Sequence, residues 1–211
     1  MRIDGEEAKR LVKVYREAFQ KKGYAFFESG DYNLNIVGVR NQFGLADTFD
    51  DKMNLFYKVG GEWVVDSYEI TTEPGTNILR RPLRSVRHKG TAILVPNQYR
   101  STYRIGTHGG KRKYKALCQR GGEVEVWRDN NRDRIADIDG PREAGFFGIN
   151  IHRQWGPDDR EYTDGVSAGC QVFRSSVDFY EFMETCQIAA DEYGNSFTYT
   201  LIDEKFLLEN C

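Results

Sequence analysis

The chain reads as an α+β protein, a sheet core flanked by one helix near each end. Three observations predict it. Aromatic residues make up 13% of the 211, with 21 Gly and only 5 Pro, a turn-rich globular composition, since disordered chains lack the aromatic and β-branched side chains that offset chain entropy. Short β-type runs separated by turn residues fill the middle of the sequence. Apolar residues spaced at three and four appear towards both ends.

At the amino-terminal end, Asp4 followed by Glu7 has capping-box spacing, and Ala8, Leu11, Val12, Tyr15, Ala18 and Phe19 recur at three and four until Gly23. This predicts a helix over 5–22. Its polar face carries Lys9, Arg10, Lys13, Arg16, Lys21 and Lys22, which could meet an anionic surface, although a solvated face is the commoner meaning. Strands are predicted at 34–39, 53–59, 62–70, 91–95 and 99–105. Gly60 and Gly61 mark a hairpin, because two consecutive glycines take positive φ without steric cost. Strands at 114–119 and 124–127 follow across Gly121 and Gly122, and 146–152 reads as a buried strand ending in polar residues. Ser175 or Ser176 then opens a second helix through Phe179, Tyr180, Phe182, Met183, Cys186, Ala189 and Ala190 to Gly194, and 197–202 is the last strand. No internal repeat, low-complexity tract or Pro/Ser linker divides the chain. The expected organisation is a helical segment at 1–30 packed on a core of 31–211.

A chain this long can bury a core without disulfide or metal staples. Lys+Arg 30 against Asp+Glu 32 leaves a net charge of -2, so no global basic field exists to hold nucleic acid. No apolar run approaches the ~20 residues of a membrane span, and Met1 to Glu7 is acidic and helical where an export signal is basic and then apolar. The expectation is synthesis in a cytoplasm without a signal peptide, no membrane or nucleic-acid partner, and reduced thiols at Cys118, Cys170, Cys186 and Cys211. Nothing in the sequence speaks to oligomeric state.

The chemistry-bearing residues gather late in the chain. Of three histidines (His88, His108 and His152), His152 ends an apolar run before a polar segment at 153–165. Cys170 follows two small residues and precedes apolar ones. A free thiol has a pKa of ~8.5 and is mostly protonated at neutral pH, whereas an adjacent imidazole can take its proton. Gly169 would let a carbonyl approach the amides around Cys170, and two such donors form an oxyanion hole worth ~3 kcal/mol or more. From residue type and order alone, a lone cysteine on a strand is more often core than catalytic.

His152, fourteen intervening residues, and then Ser167, Ala168, Gly169 and Cys170 resemble the signature of the L,D-transpeptidase (YkuD-type) catalytic domain, in which a histidine precedes Ser/Thr-His-Gly-Cys by about that interval. Gly148 to Arg153 together with Ser167 to Val172 look like a phage-like variant branch. The resemblance covers about 31–205, and only 152–170 is specific. It implies a mixed, β-sandwich-like core with the histidine at a strand end and the nucleophile opening the next strand or turn. It also implies thiol acyl transfer on peptidoglycan stem peptides, without a required cofactor. Cys170 would attack the carbonyl, His152 would accept the thiol proton and pass it to the leaving amine, and the Gly169 and Cys170 amides would hold the oxyanion, with Ser167 completing the motif. An acceptor amine would then cross-link and water would hydrolyse. Lacking an export signal, the chain is expected to be lytic, an endolysin-like L,D-peptidase acting at the wall after release or as a virion component. The alternatives are a true cross-linking L,D-transpeptidase and a non-catalytic wall-binding or virion structural protein on the same fold.

Two departures from the family pattern matter. Ala168 stands where a histidine is common, and His108 is the residue that could fold back to replace it, although a turn histidine beside glycines is more often exposed. Val172 stands where Arg or Asn is usual, so substrate carboxylate recognition would fall to Arg153 or Arg174, either of which could equally be a surface residue.

Further features have structural readings beside functional ones. Asp129, Asn131, Asp133 and Asp137 place oxygens at alternate positions, as a calcium loop does. Arg134 stands where such loops want Gly, and Gly140 where they want a bidentate Glu. The competing reading is an acidic turn capping its own backbone. Zinc ligation by His152, Cys170 and His108 has no supporting spacing. Residues 71–75 read as a turn built on Pro74 and Gly75, near a segment that borders the cleft in the resembling family. Trp63 and Trp127 sit in strand-like runs and read as core, and Trp155, between histidine and cysteine, is the candidate lid contact.

Overall fold

The computed structural model describes residues 1–111, 113–156 and 160–210, and the chain is a mixed α+β protein, mostly β, with four helices among the described residues. In chain order these are β1 (Arg2–Ile3), α1 (Gly5–Lys22), β2 (Asn35–Arg40), β3 (Asp51–Val59), β4 (Glu62–Thr71), α2 (Thr76–Arg80), β5 (Thr91–Leu94) and β6 (Gln98–His108). Then follow β7 (Tyr114–Gln119), β8 (Val124–Asp129), β9 (Arg142–Gly145), β10 (Ile151–Arg153), β11 (Gln171–Phe173), α3 (Ser176–Tyr193), β12 (Phe197–Asp203) and α4 (Glu204–Asn210).

Nine strands form one sheet in the order β1-β4-β11-β10-β7-β6-β12-β2-β3. Pairing of β3 with β4 over Asp51↔Ile70 to Val59↔Glu62 closes that sheet into a barrel, so its layers are opposite walls of one closed surface. Closure needs β4 to be long. Its other edge carries β1 near Val65 and Asp66 and β11 near Ile70 and Thr71, which leaves no unpaired edge there to template aggregation. The sheet is mixed, with β10–β11 and β12–β2 parallel. A separate three-stranded sheet, β5-β8-β9, lies beside it.

The two long helices lie where the periodicity places them. The buried stripe of α1 (Ala8, Val12, Tyr15, Ala18 and Phe19) packs with Val37, Val39, Phe56, Val65 and Ile202, and Gly23 ends the helix at φ 71. Asp4 occupies the N-cap position without a side-chain cap bond; Gly5, at φ 61, intervenes before the first regular turn, so the expected capping box does not form. Ser175 does cap α3, accepting from the Asp178 amide at 3.1 Å. Phe179, Phe182, Met183 and Cys186 of α3 are buried in the main core with Phe173 and Tyr68. Gly60 and Gly61 turn the β3–β4 hairpin at φ 59 and 82, and Asp31 accepts both amides.

One predicted strand is mostly not a strand. Within 146–152 only the last two residues belong to β10. Gly148 bends the run at φ 72, and Phe146 is exposed. The amides of Phe147, Gly148 and Ile149 all donate to Gln119 Oε1, at 3.0, 2.9 and 3.2 Å. A single side chain thus replaces a ladder, satisfying buried backbone donors without a neighbouring strand.

Candidate active site

The parallel pair β10–β11 brings histidine and cysteine together. Its register sets Ile151 against Gln171 and His152 against Val172, and the Gln171 amide donates to Asn150 O at 2.9 Å. Extended by one residue, that register sets Asn150, just before β10, beside Cys170, just before β11, so Cys170 stands two residues before the position opposite His152. Gly169 makes the approach to Cys170 feasible. It sits at φ 107, and a Cβ there would stand 2.1 Å from Ala92 O, so only glycine fits.

The Cys170 sulfur donates to Gly148 O at 3.5 Å and accepts from the Asn150 amide at 3.4 Å. Burial pushes its pKa up to about 11, against the opposing Asn150 amide, so it rests as a thiol. His152 is 2% exposed. Its Nδ1 lies 2.8 Å from Arg153 O, and a carbonyl can only accept, so Nδ1 carries the proton and Nε2 the lone pair. Burial, then repulsion from His108, lowers the His152 pKa to about 3. Resting thiol and resting imidazole are both neutral, so the two form no standing ion pair.

His108, at the end of β6, stacks on His152 with ring centroids 4.1 Å apart and planes 18° from parallel. Asn150 Oδ1 accepts from the Gln119 amide at 2.9 Å, which directs Asn150 Nδ2 to His108 Nδ1 at 3.0 Å. His108 Nδ1 is thus an acceptor, and burial lowers this imidazole's pKa too. Tyr114 closes the far side, its hydroxyl 3.2 Å from Arg153 O and 3.4 Å from His152 Nδ1.

Ser167 is wholly buried. Its Oγ lies 2.8 Å from Glu73 O, 3.1 Å from Cys170 O and 3.4 Å from the Gly169 amide, while its carbonyl accepts from the Gly75 amide. It ties the cysteine loop to the 71–75 turn and engages the Gly169 amide expected at the oxyanion. Behind that turn, Arg40 pairs with Glu73 at 2.8 Å. Asp51 accepts the Asn41 and Thr72 amides, and both buried carboxyls are raised, first by burial.

A cavity of about 310 Å³ opens beside Cys170, lined by Ile78, Val86, Ala92, Arg128, Phe147 and Ile149 among others. Arg128 donates to Glu143 at 2.8 Å and lies over the Phe147 ring at 4.6 Å; it is the cation of this cavity. Arg153 instead lies over the Tyr114 and Tyr180 rings, at 4.7 and 5.6 Å. Arg174 pairs with Glu69 at 2.8 Å and is absent from the cavity wall. Trp155 meets Tyr114 edge-on at 6.2 Å; residues 157–159 of the same expected lid lie outside the described residues, as does Cys211. Cys118 and Cys186 are buried thiols.

Asn150, Gln119 and Arg128 were not singled out from the sequence. Asn150 had a usable signal, standing two residues before His152 in an alternating run. Asp129, at the end of β8, and Asn131, Asp133 and Asp137, in the loop that follows it, are not among the residues lining the cavity beside Cys170. No protein-family model matches the chain, and neither does any curated protein or solved structure.

Proposed function

We propose that the chain is a cysteine acyl-transfer enzyme of the L,D-transpeptidase kind, acting on peptidoglycan stem peptides and chiefly as an L,D-peptidase. The observation that supports this reading is the placement of Cys170 on a cavity wall, just ahead of the strand that pairs in parallel with the one carrying an imidazole whose Nε2 holds a lone pair. The substrate class rests on the resemblance of 152–170.

In this mechanism Cys170 turns from Gly148 O towards the imidazole, and its sulfur attacks the carbonyl of the diamino-acid residue. The C–S bond forms as the thiol proton passes to His152 Nε2. The Nδ1–H bond to Arg153 O steadies the imidazolium. The Cys170 amide serves the oxyanion, since the Gly169 amide is engaged by Ser167. Collapse breaks the C–N bond, the imidazolium protonates the leaving amine, and a thioester remains. Water, deprotonated by Nε2, releases the acid; an amine acceptor would give a cross-link. A lytic role after release, or as part of a virion, belongs to the same reading.

The contact of Cys170 with Gly148 O, and its raised pKa, favour a second reading: a non-catalytic wall-binding protein on this fold. Incubation of the full chain with cross-linked muropeptides, read by mass spectrometry, separates the two. Products that gain water and disappear in Cys170→Ala support the enzyme. Identical profiles for both proteins across several cross-link types leave only the binding protein.

A further inference from the structure

We propose that the loop joining β8 to β9 binds a hard divalent cation, calcium in particular. This is independent of the acyl-transfer reading. Hard cations take oxygen ligands from alternate residues of a tight loop, and this loop offers Asp129, Asn131, Asp133 and Asp137 at alternate positions, with Ile135 O between the last two.

The observation that points to a ligand is Asp129. It is 2% exposed, and its Oδ1 is buried with no hydrogen-bond partner, a costly condition for a carboxylate oxygen. Its Oδ2 accepts from the Asp137 amide at 3.1 Å, so the carboxylate faces the loop. Asn131 Nδ2 stands between Asp133 Oδ2 and Asp137 Oδ2, at 2.9 and 2.7 Å. Asn131 Oδ1 accepts from the Asp133 amide at 3.0 Å, so its Nδ2 stands as a donor between the two carboxylates, in the place a cation would take. Among the described residues, none of the ion pairs involves Asp129, Asp133 or Asp137.

A different acidic group is the rival. Ligand oxygens of Asp50, Asp51 and Glu73 lie within 4.8 Å of one another, closer than those of the loop. That group already holds the Arg40 guanidinium against Glu73, whereas the loop carboxylates have the Asn131 amide instead of a cation. With Gly140 in place of a bidentate Glu, affinity falls at the weak end of the calcium-loop range, about 10⁻⁴–10⁻³ M. The ion would fasten the end of β8 that carries Arg128 to the cavity wall.

The test uses the full chain, stripped with EDTA and titrated with CaCl₂ or MgCl₂ at constant ionic strength. Thermal unfolding and terbium luminescence sensitised by tryptophan are the readouts. The expected result at about 10 mM calcium is a Tm rise of roughly 3–10 °C, smaller with magnesium and absent from Asp133→Ala. Asp133 is exposed, so that variant keeps the apo fold. No calcium shift in the wild type, or an undiminished shift in Asp133→Ala, overturns the proposal. A shift lost in Asp50→Asn but kept in Asp133→Ala places the ion at the rival group and overturns it equally.

Discussion

Replacement of His152 by Gln should remove a pH dependence of stability that the buried imidazole imposes. The free imidazole has a pKa near 6.5, and burial lowers it to about 3 in the folded chain. Between those values the unfolded state binds one more proton than the folded state, so folding weakens as pH falls below 6.5 and is unaffected by this group above it. Each pH unit in that window costs about 1.36 kcal/mol, or roughly 2 kcal/mol at pH 5. Glu73 acts oppositely: its raised pKa makes the folded state bind the extra proton above pH 4.5, so the two slopes tend to cancel in the wild type. Only the difference between wild type and variant isolates the histidine. Urea unfolding at half-unit steps from pH 7.5 to 5 should show His152→Gln gaining roughly 2 kcal/mol on the wild type, while the lowered pKa of His108 is common to both proteins and drops out of the difference. Parallel curves, within about 0.5 kcal/mol across the range, would refute a buried neutral imidazole.

Gly169→Ala should destabilise by about 3 kcal/mol in urea unfolding, since positive φ and the Ala92 carbonyl both oppose a methyl group; a loss under 0.5 kcal/mol would contradict the backbone geometry. Gln119→Leu strips three amides of their acceptor and should cost about 2–4 kcal/mol, with faster hydrogen exchange confined to 147–149. Alkylation of Cys170 by iodoacetamide should climb with pH towards about 11, and a plateau near pH 7 would show a thiolate already formed. A carbapenem should add its mass to Cys170 and spare Cys118 and Cys186, as the family resemblance implies.

Much of this fold is legible because its long elements obey one period each. Both long helices follow three-and-four spacing, and Tyr114–Gln119 has the predicted bounds. The missed elements are short: β1, β9 and β11 have two to four residues, α2 has five and α4 seven, too few for a period to emerge. The error at 146–152 has another cause. Apolar residues there read as a strand, but their amides are claimed by Gln119, distant in sequence, and pattern within a window cannot see that. At the candidate site, the parallel strand pair brings the motif residues Gly169 and Cys170 near His152, Ser167 bonds within the cysteine loop, and His108 stacks on His152. Of the two arginines considered for a substrate carboxylate, Arg174 pairs with Glu69 and Arg153 lies over tyrosine rings; residue type alone left both that role and a surface one open.

The parallel register of β10 and β11 fixes the spacing of His152 and Cys170, the proposed base and nucleophile, without reference to the chain that joins them. Evolution could lengthen, shorten or exchange that connector while the two side chains keep their positions. Recognition and reactivity would then be separable traits, one written in a replaceable excursion and the other in a pair of short strands.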